Sequence, residues 1–191
     1  MKIITIENNI GQQGSPYFTF RPDTAMLRNN DNFYLPNFSN DTVCGCGIII
    51  RINRIVKHIE KRFASRCYDA IGIGVAFVAR DIKEQLLSEG KSCEAAYSFD
   101  HSFAISPEWI EPCDFGPQNI KLVIDGVAKQ SFTSADFVED IDAVVAKASE
   151  LTTLKMGDYV FIAAPQSIEC KQGAKIEAFA NDAQMLNFWI K

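Results

Sequence analysis

Residues 43–52, Val-Cys-Gly-Cys-Gly-Ile-Ile-Ile-Arg-Ile, limit what this chain can fold into more than any other stretch. Ile48, Ile49, Ile50 and Ile52 are β-branched, and branching at Cβ disfavours helix and suits a pleated strand. Gly45 and Gly47 weaken the start of that strand, since glycine adds chain entropy and no packing surface. Further strands are expected at 2–6, 17–20, 70–77 and 159–163. Two hairpins are legible. Lys121–Ile124 and Val127–Gln130 flank Asp125-Gly126, which suits a type I′ turn. Ala174–Ala180 and Gln184–Ile190 pair across Asn181-Asp182.

Helical periodicity is confined to two places. Ile82, Leu86 and Leu87 mark a helix from about Ala79 to Ser88, with Gly90 as its stop. Phe137, Ile141, Val144, Val145 and Ala148 mark another, with Ser134 or Asp136 as its cap. Residues 27–41, rich in Asn and Asp around Pro36, read as loop. Many strands, few short helices and no regular βαβ alternation predict an α+β fold. With 191 residues and no linker-like tract, one domain over 1–191 is expected.

Composition narrows function by exclusion. The net charge of −5 offers no basic patch to track phosphates, which argues against nucleic acid. No apolar run approaches the roughly 20 residues that span a bilayer, so no membrane partner is expected. Met1–Ile6 reads as a first strand, not a signal peptide, which points to the cytoplasm. The six cysteines, Cys44, Cys46, Cys67, Cys93, Cys113 and Cys170, are then expected to be reduced. Cys44 and Cys46 read as small buried hydrophobes, because a closed zinc site needs about four ligands and no second close pair exists. His58 and His101 are the only histidines, and neither lies in a triad-like motif.

Several phrases, in one order, resemble the fumarylacetoacetate hydrolase family. Phe20-Arg21-Pro22-Asp23-Thr24-Ala25 is similar to its phe-x-lys-pro-asp-x-ala stretch. Ile50–Arg54 looks like the end of its metal-bearing strand. Tyr68–Ile71 through Phe77-Val78-Ala79-Arg80-Asp81-Ile82 resembles its most specific segment, and Ser98-Phe99-Asp100, Leu154–Phe161 and Lys171–Ile176 match later landmarks. The resemblance implies a mixed β-sheet roll or sandwich with short flanking helices, in a homodimer. It also implies Mg²⁺ or Mn²⁺ chemistry on β-dicarbonyl and 2-oxo acids, by C–C hydrolysis, decarboxylation or isomerisation. A hard cation held by carboxylates would clamp such an acid and absorb the negative charge that develops.

The carboxylates that would hold that cation are absent. The family's glu-x-glu falls on Gly45-Cys46-Gly47, and its asp falls on Ala76. The gly-arg-asn-tyr landmark becomes Glu7-Asn8-Asn9-Ile10, where only Asn9 fits. The loop that should bring a catalytic his and glu is cut to Gly11–Ser15. Tyr97 takes the pocket lysine position, Lys83 that of a gln, and Ile162-Ala163-Ala164-Pro165 that of thr-gly-thr-pro. The expectation is a protein with no metal and no inherited catalytic residue, serving a structural or regulatory role as a homodimer or beside an active relative. What is left is a pocket remnant of Arg21, Arg80, Lys83 and Tyr97 that could grip a small carboxylic acid. The alternatives are a metal-independent enzyme, with Arg80 and Lys83 supplying charge and Tyr97 acting as acid, and a plain acid-binding module.

Overall fold

The computed structural model describes residues 1–10 and 14–191. Its strands are β1 Lys2–Glu7, β2 Tyr17–Pro22, β3 Met26–Leu27, β4 Thr42–Ile52, β5 Tyr68–Ala79, β6 Phe103–Ile105, β7 Asn119–Ile124, β8 Val127–Thr133, β9 Tyr159–Ala163, β10 Ile168–Glu169, β11 Lys175–Ala180 and β12 Ala183–Trp189. Its helices are α1 Lys61–Ala64, α2 Arg80–Ser88 and α3 Ile141–Leu151. The mixed-sheet, few-helix architecture is the α+β roll that the sequence predicts.

The larger sheet runs β2-β1-β9-β4-β5-β6-β3, with β10 beside β4; the smaller runs β12-β11-β7-β8. Two edge strands of the larger sheet, β2 and β3, are joined only by the turn Asp23–Ala25. So short a link between opposite edges is possible only if the sheet curls until those edges meet. Met26 of β3 accordingly shares one buried cluster with Ile3 of β1.

Strand alternation then divides the interior in two. Even-numbered residues of β4, among them Cys44, Cys46, Ile48 and Ile50, join Leu122, Ile176, Phe188 and Val145 in the main core between the two sheets. Odd-numbered residues face into the curl, where Ile3, Ile49, Ala76, Phe103 and Phe161 form a second cluster. Cys44 and Cys46 are fully buried and point away from the inside of the curl.

Local chemistry explains most boundaries. Asp125 and Gly126 take φ of 50° and 77°, as a type I′ hairpin turn requires. The helix expected around Phe137 is shorter than its periodicity implies. Asp136 and Thr133 close a capping box over a single 3-10 turn, Ser134–Asp136, and α3 begins only after Asp140. The Asp140 carboxylate accepts the Ala143 N–H at 2.9 Å and is the true cap. Neither Ser134 nor Asp136 caps α3, and Phe137 precedes that helix. The loop over 27–41 also holds a core residue: Phe33 is fully buried and stacks on Phe77 at 3.7 Å.

Candidate functional site

The antiparallel register of β4 and β5 sets Gly45 opposite Ala76 and Gly47 opposite Gly74. The three positions named by the family resemblance are thus neighbours on the face inside the curl. The space that side chains at Gly45 and Gly47 would enter is occupied. A Cβ built on Gly47 would lie 2.2 Å from the Ile162 carbonyl oxygen and 2.6 Å from the Phe161 ring. On Gly45 it would lie 2.6 Å from the Pro165 carbonyl oxygen, and on Gly74 2.7 Å from the Phe103 ring. Phe103 and Phe161 meet edge to face at 4.7 Å, both fully buried. Glycine here is a packing requirement, because main chain and two aromatic rings occupy the volume of the missing side chains.

A divalent cation does not fit these residues. Gly45, Gly47 and Ala76 present no donor, and Mg²⁺ or Mn²⁺ needs hard oxygen ligands. Among the described residues, no three His, Cys, Asp or Glu side chains converge as a metal site.

The four residues expected to form a pocket remnant come as two pairs. Arg21 is 2% exposed. Its Nη1, with two N–H groups, lies within hydrogen-bonding reach of the carbonyl of Phe77 at 3.2 Å, of Ser102 Oγ at 3.2 Å and of the carbonyl of Tyr97. Its Nε is buried without a partner among the described residues. The guanidinium lies over the Tyr97 ring at 5.3 Å. Burial pulls the Arg21 pKa down to about 10, against the opposing pull of Glu7, and raises Tyr97 to about 12. Arg80 and Lys83 lie outside this interior, in a cleft of about 200 Å³ lined by Val43, Val78, Glu84 and Gln166. Val43 and Val78, which line this cleft, form one buried cluster with Tyr97. Arg80 is committed to Asp41 through Nε at 2.6 Å and Nη2 at 2.9 Å. Asp81 accepts hydrogen bonds from Ser39 Oγ and from the N–H groups of Asn40 and Ile82, which anchors the start of α2.

Sequence reasoning missed Glu7 and Gln130. Glu7 replaces the glycine that opens the family landmark, which was its only signal. Its carboxylate accepts a 3.4 Å hydrogen bond from Gln166 Nε2. Burial raises its pKa above the ordinary carboxylate range, although Arg21, Gln166 and Lys83 all pull the other way. A carboxyl so shifted carries a penalty that is absent when it is protonated and complete above its folded pKa. Glu7→Gln should therefore raise the melting temperature at pH 7 by a few degrees, a gain that disappears by about pH 4. Thermal melts at both pH values check this. Gln130 fills a gap in the sheet: its Oε1 accepts the Cys46 N–H at 2.9 Å and its Nε2 donates to the Pro165 carbonyl at 3.0 Å. Nothing in the local sequence marks that cross-sheet contact.

Asn9, the retained landmark residue, is fully buried and pairs with the main chain of Glu139 in both directions at 2.9 Å. The expected loop shortening falls mainly on Gly11, Gln12 and Gln13, which lie outside the described residues. A larger cleft, about 460 Å³, lies elsewhere, around Tyr68, Phe115 and Phe137. Its carboxylates are already engaged: Asp140 with Lys61, and Asp142 with the Tyr68 hydroxyl.

Residues 5–190 match the family described as fumarylacetoacetate (FAA) hydrolase C-terminal. The chain belongs to the fumarylacetoacetate hydrolase family. The oxaloacetate tautomerase YcgM of Escherichia coli (strain K12) is 23% identical over 180 residues, covering 87% of this chain and 82% of that protein. A fumarylacetoacetate hydrolase domain-containing protein 2 homolog of Dictyostelium discoideum is 26% identical over 76% of this chain and 51% of its own length. The crystal structure of a fumarylpyruvate hydrolase from Pseudomonas aeruginosa in complex with Mn²⁺ and pyruvate superposes with a TM-score of 0.91 at 16% identity, covering 100% of this chain and 89% of that one. No helix among the described residues is long and apolar enough to cross a membrane.

Proposed function

We propose that this fumarylacetoacetate hydrolase-family protein has given up metal-dependent chemistry on oxo-acids and serves a structural or regulatory role. It would do so in the cytoplasm, as a homodimer or paired with an active relative, without Mg²⁺ or Mn²⁺. One observation carries this reading: a Cβ at Gly47 would stand 2.2 Å from a main-chain oxygen. A lost ligand can be compensated when its cavity persists, but a cavity filled by main chain and aromatic rings has no place for ion or substrate. The test is turnover of oxaloacetate and acylpyruvates with added Mn²⁺. Rates equal to buffer are expected, and Mn²⁺-dependent turnover abolished by a chelator would contradict the reading.

A second reading, recognition of a small carboxylic acid without chemistry, is favoured by the outer cleft. Lys83 lines it beside the Gln166 amide, and Lys83 forms no ion pair among the described residues. Binding there would raise the melting temperature in millimolar pyruvate or oxalate, and Lys83→Ala would remove the rise. Metal-independent catalysis has less support, since Arg80 is bound to Asp41 and burial holds Tyr97 at about 12, too weak an acid for the role.

A further inference from the structure

The chain-wide charge of −5 conceals a basic stretch. Residues 51–66 carry Arg51, Arg54, Lys57, Lys61, Arg62 and Arg66 against a single carboxylate, Glu60. Most of this stretch is the loop that joins β4 to β5, with α1 inside it. The loop leaves the strand pair at its Ile52–Tyr68 end, whereas Gly45 and Ala76 pair near the other. We propose that a cleft in this loop binds a small organic phosphate, an apolar or aromatic body carrying a phosphate monoester. The cleft shares no residue with the inside of the curl or with the Lys83 cleft, so the site does not depend on loss of the metal.

The basic side chains divide by partner. Arg51 pairs with Asp69, Lys61 with Asp140 and Arg62 with Glu60. Arg54, Lys57 and Arg66 are the ones that form no ion pair among the described residues, and they line one cleft of about 390 Å³ with no carboxylate in its walls. Like charges gathered without a counter-ion repel one another, a cost that an anion between them removes. The fields of Arg54 and Arg66 both reach the Cys67 thiol in the cleft wall, where they oppose the rise that burial imposes on its pKa. The two guanidiniums therefore act on one part of the cleft. Each offers a planar fork of N–H donors suited to phosphate oxygens. A phosphate monoester, with a charge of about −1.5 to −2 near pH 7, answers this excess better than a single carboxylate does.

The rest of the cleft is apolar. Val56, Ile59, Phe63 and Cys67 form its walls, and Ile55, 75% exposed, is an apolar rim beside Arg54. A mostly apolar cleft of this size with a few charged groups is the usual make-up of a small-molecule site. The loop is also held in shape without a ligand. Val56 and Leu154 exchange main-chain hydrogen bonds at 2.9 and 2.8 Å. The His58 N–H donates to the Ser149 carbonyl at 3.0 Å, and the Ile59 N–H to Ser149 Oγ at 3.0 Å. The Arg66 guanidinium lies over the Phe63 ring, 5.2 Å from its centre. A fixed, concave site lowers the entropy cost of binding and favours a small molecule over a membrane surface.

Calorimetric titration with phenyl phosphate at about 0.05 M salt, where charges are only partly screened, tests this. One saturable site per chain is expected, with Kd below about 1 mM. Inorganic phosphate, which lacks the apolar body, and benzoate, which carries one charge, should each bind at least about tenfold more weakly. Arg54→Gln combined with Arg66→Gln should lose about tenfold or more in affinity for phenyl phosphate. Its melting temperature should stay within about 2 °C of the wild type, because both side chains are exposed and unpaired. Lys83→Ala should bind as the wild type does. Absence of saturable phenyl phosphate binding, equal affinity for inorganic phosphate or benzoate, or unchanged affinity in the double variant would each overturn the proposal. So would a loss in Lys83→Ala, which would place the ligand in the other cleft. Binding to phosphatidylserine vesicles with none to phenyl phosphate would assign the basic loop to a membrane surface and overturn it as well.

Discussion

A single methyl group at position 47 is expected to cost about 3 kcal/mol or more, the upper end for overpacked interiors. The Cβ of Gly47→Ala would arrive 2.2 Å from the Ile162 carbonyl oxygen and 2.6 Å from the Phe161 ring. A ring can turn, but the carbonyl belongs to β9, which is paired with β4 at this level. Relief therefore requires two hydrogen-bonded strands to separate. The melting temperature should fall by roughly 10 °C. Gly116→Ala is the control, because its Cβ would meet nothing within 4 Å. The same geometry bears on restoring the family's ligands. Gly45→Glu, Gly47→Glu and Ala76→Asp together should give an unfolded protein, not a metal-binding one. A folded Gly47→Ala with unchanged melting temperature would remove the steric basis of the account.

The reverse change, emptying the filled interior, carries the other large effect. Phe161 is fully buried and meets Phe103 edge to face at 4.7 Å inside the curl. Phe161→Ala should cost about 3–5 kcal/mol, the range for truncating a buried aromatic, because the surrounding sheet can collapse only in part. The cavity would be apolar on most sides, bounded by Ile49, Ala76 and Phe103. A dry cavity of this kind accepts a small aromatic molecule, so benzene should recover part of the lost stability. Guanidinium chloride unfolding with and without benzene measures both effects. A loss below about 1 kcal/mol would mean that the ring does not fill the site tightly.

The fold was readable largely because its strands and turns are encoded locally. The isoleucine-rich run became β4, Asp125-Gly126 became a hairpin turn, and Arg80-Asp81 opens α2. Boundaries set by competing local interactions were less readable. Several capping residues lie between 133 and 140, and the capping box of Thr133 and Asp136 left α3 to begin after Asp140. The burial of Phe33 was hidden because its stacking partner, Phe77, is distant in sequence.

The site divides along the same line. The resemblance located Gly45, Gly47 and Ala76, and the register places them side by side. Their composition said that ligands are missing; it could not say that the space is filled. That depends on Phe161 and Pro165, which are distant in sequence from Gly45 and Gly47. For the same reason Arg21 and Arg80, similar in sequence as cations of a remnant, have opposite settings. One is buried on main-chain oxygens, and the other is half exposed on Asp41. Glu7 was visible only as a departure from a landmark, since its burial follows from the curl of the sheet.

Loss of the metal site means that the wild-type protein holds no divalent ion. Calorimetric titration with Mn²⁺, repeated with an oxo-acid present, measures this directly. Heats indistinguishable from dilution up to millimolar metal are expected. A stoichiometric, saturable site of micromolar strength would contradict it.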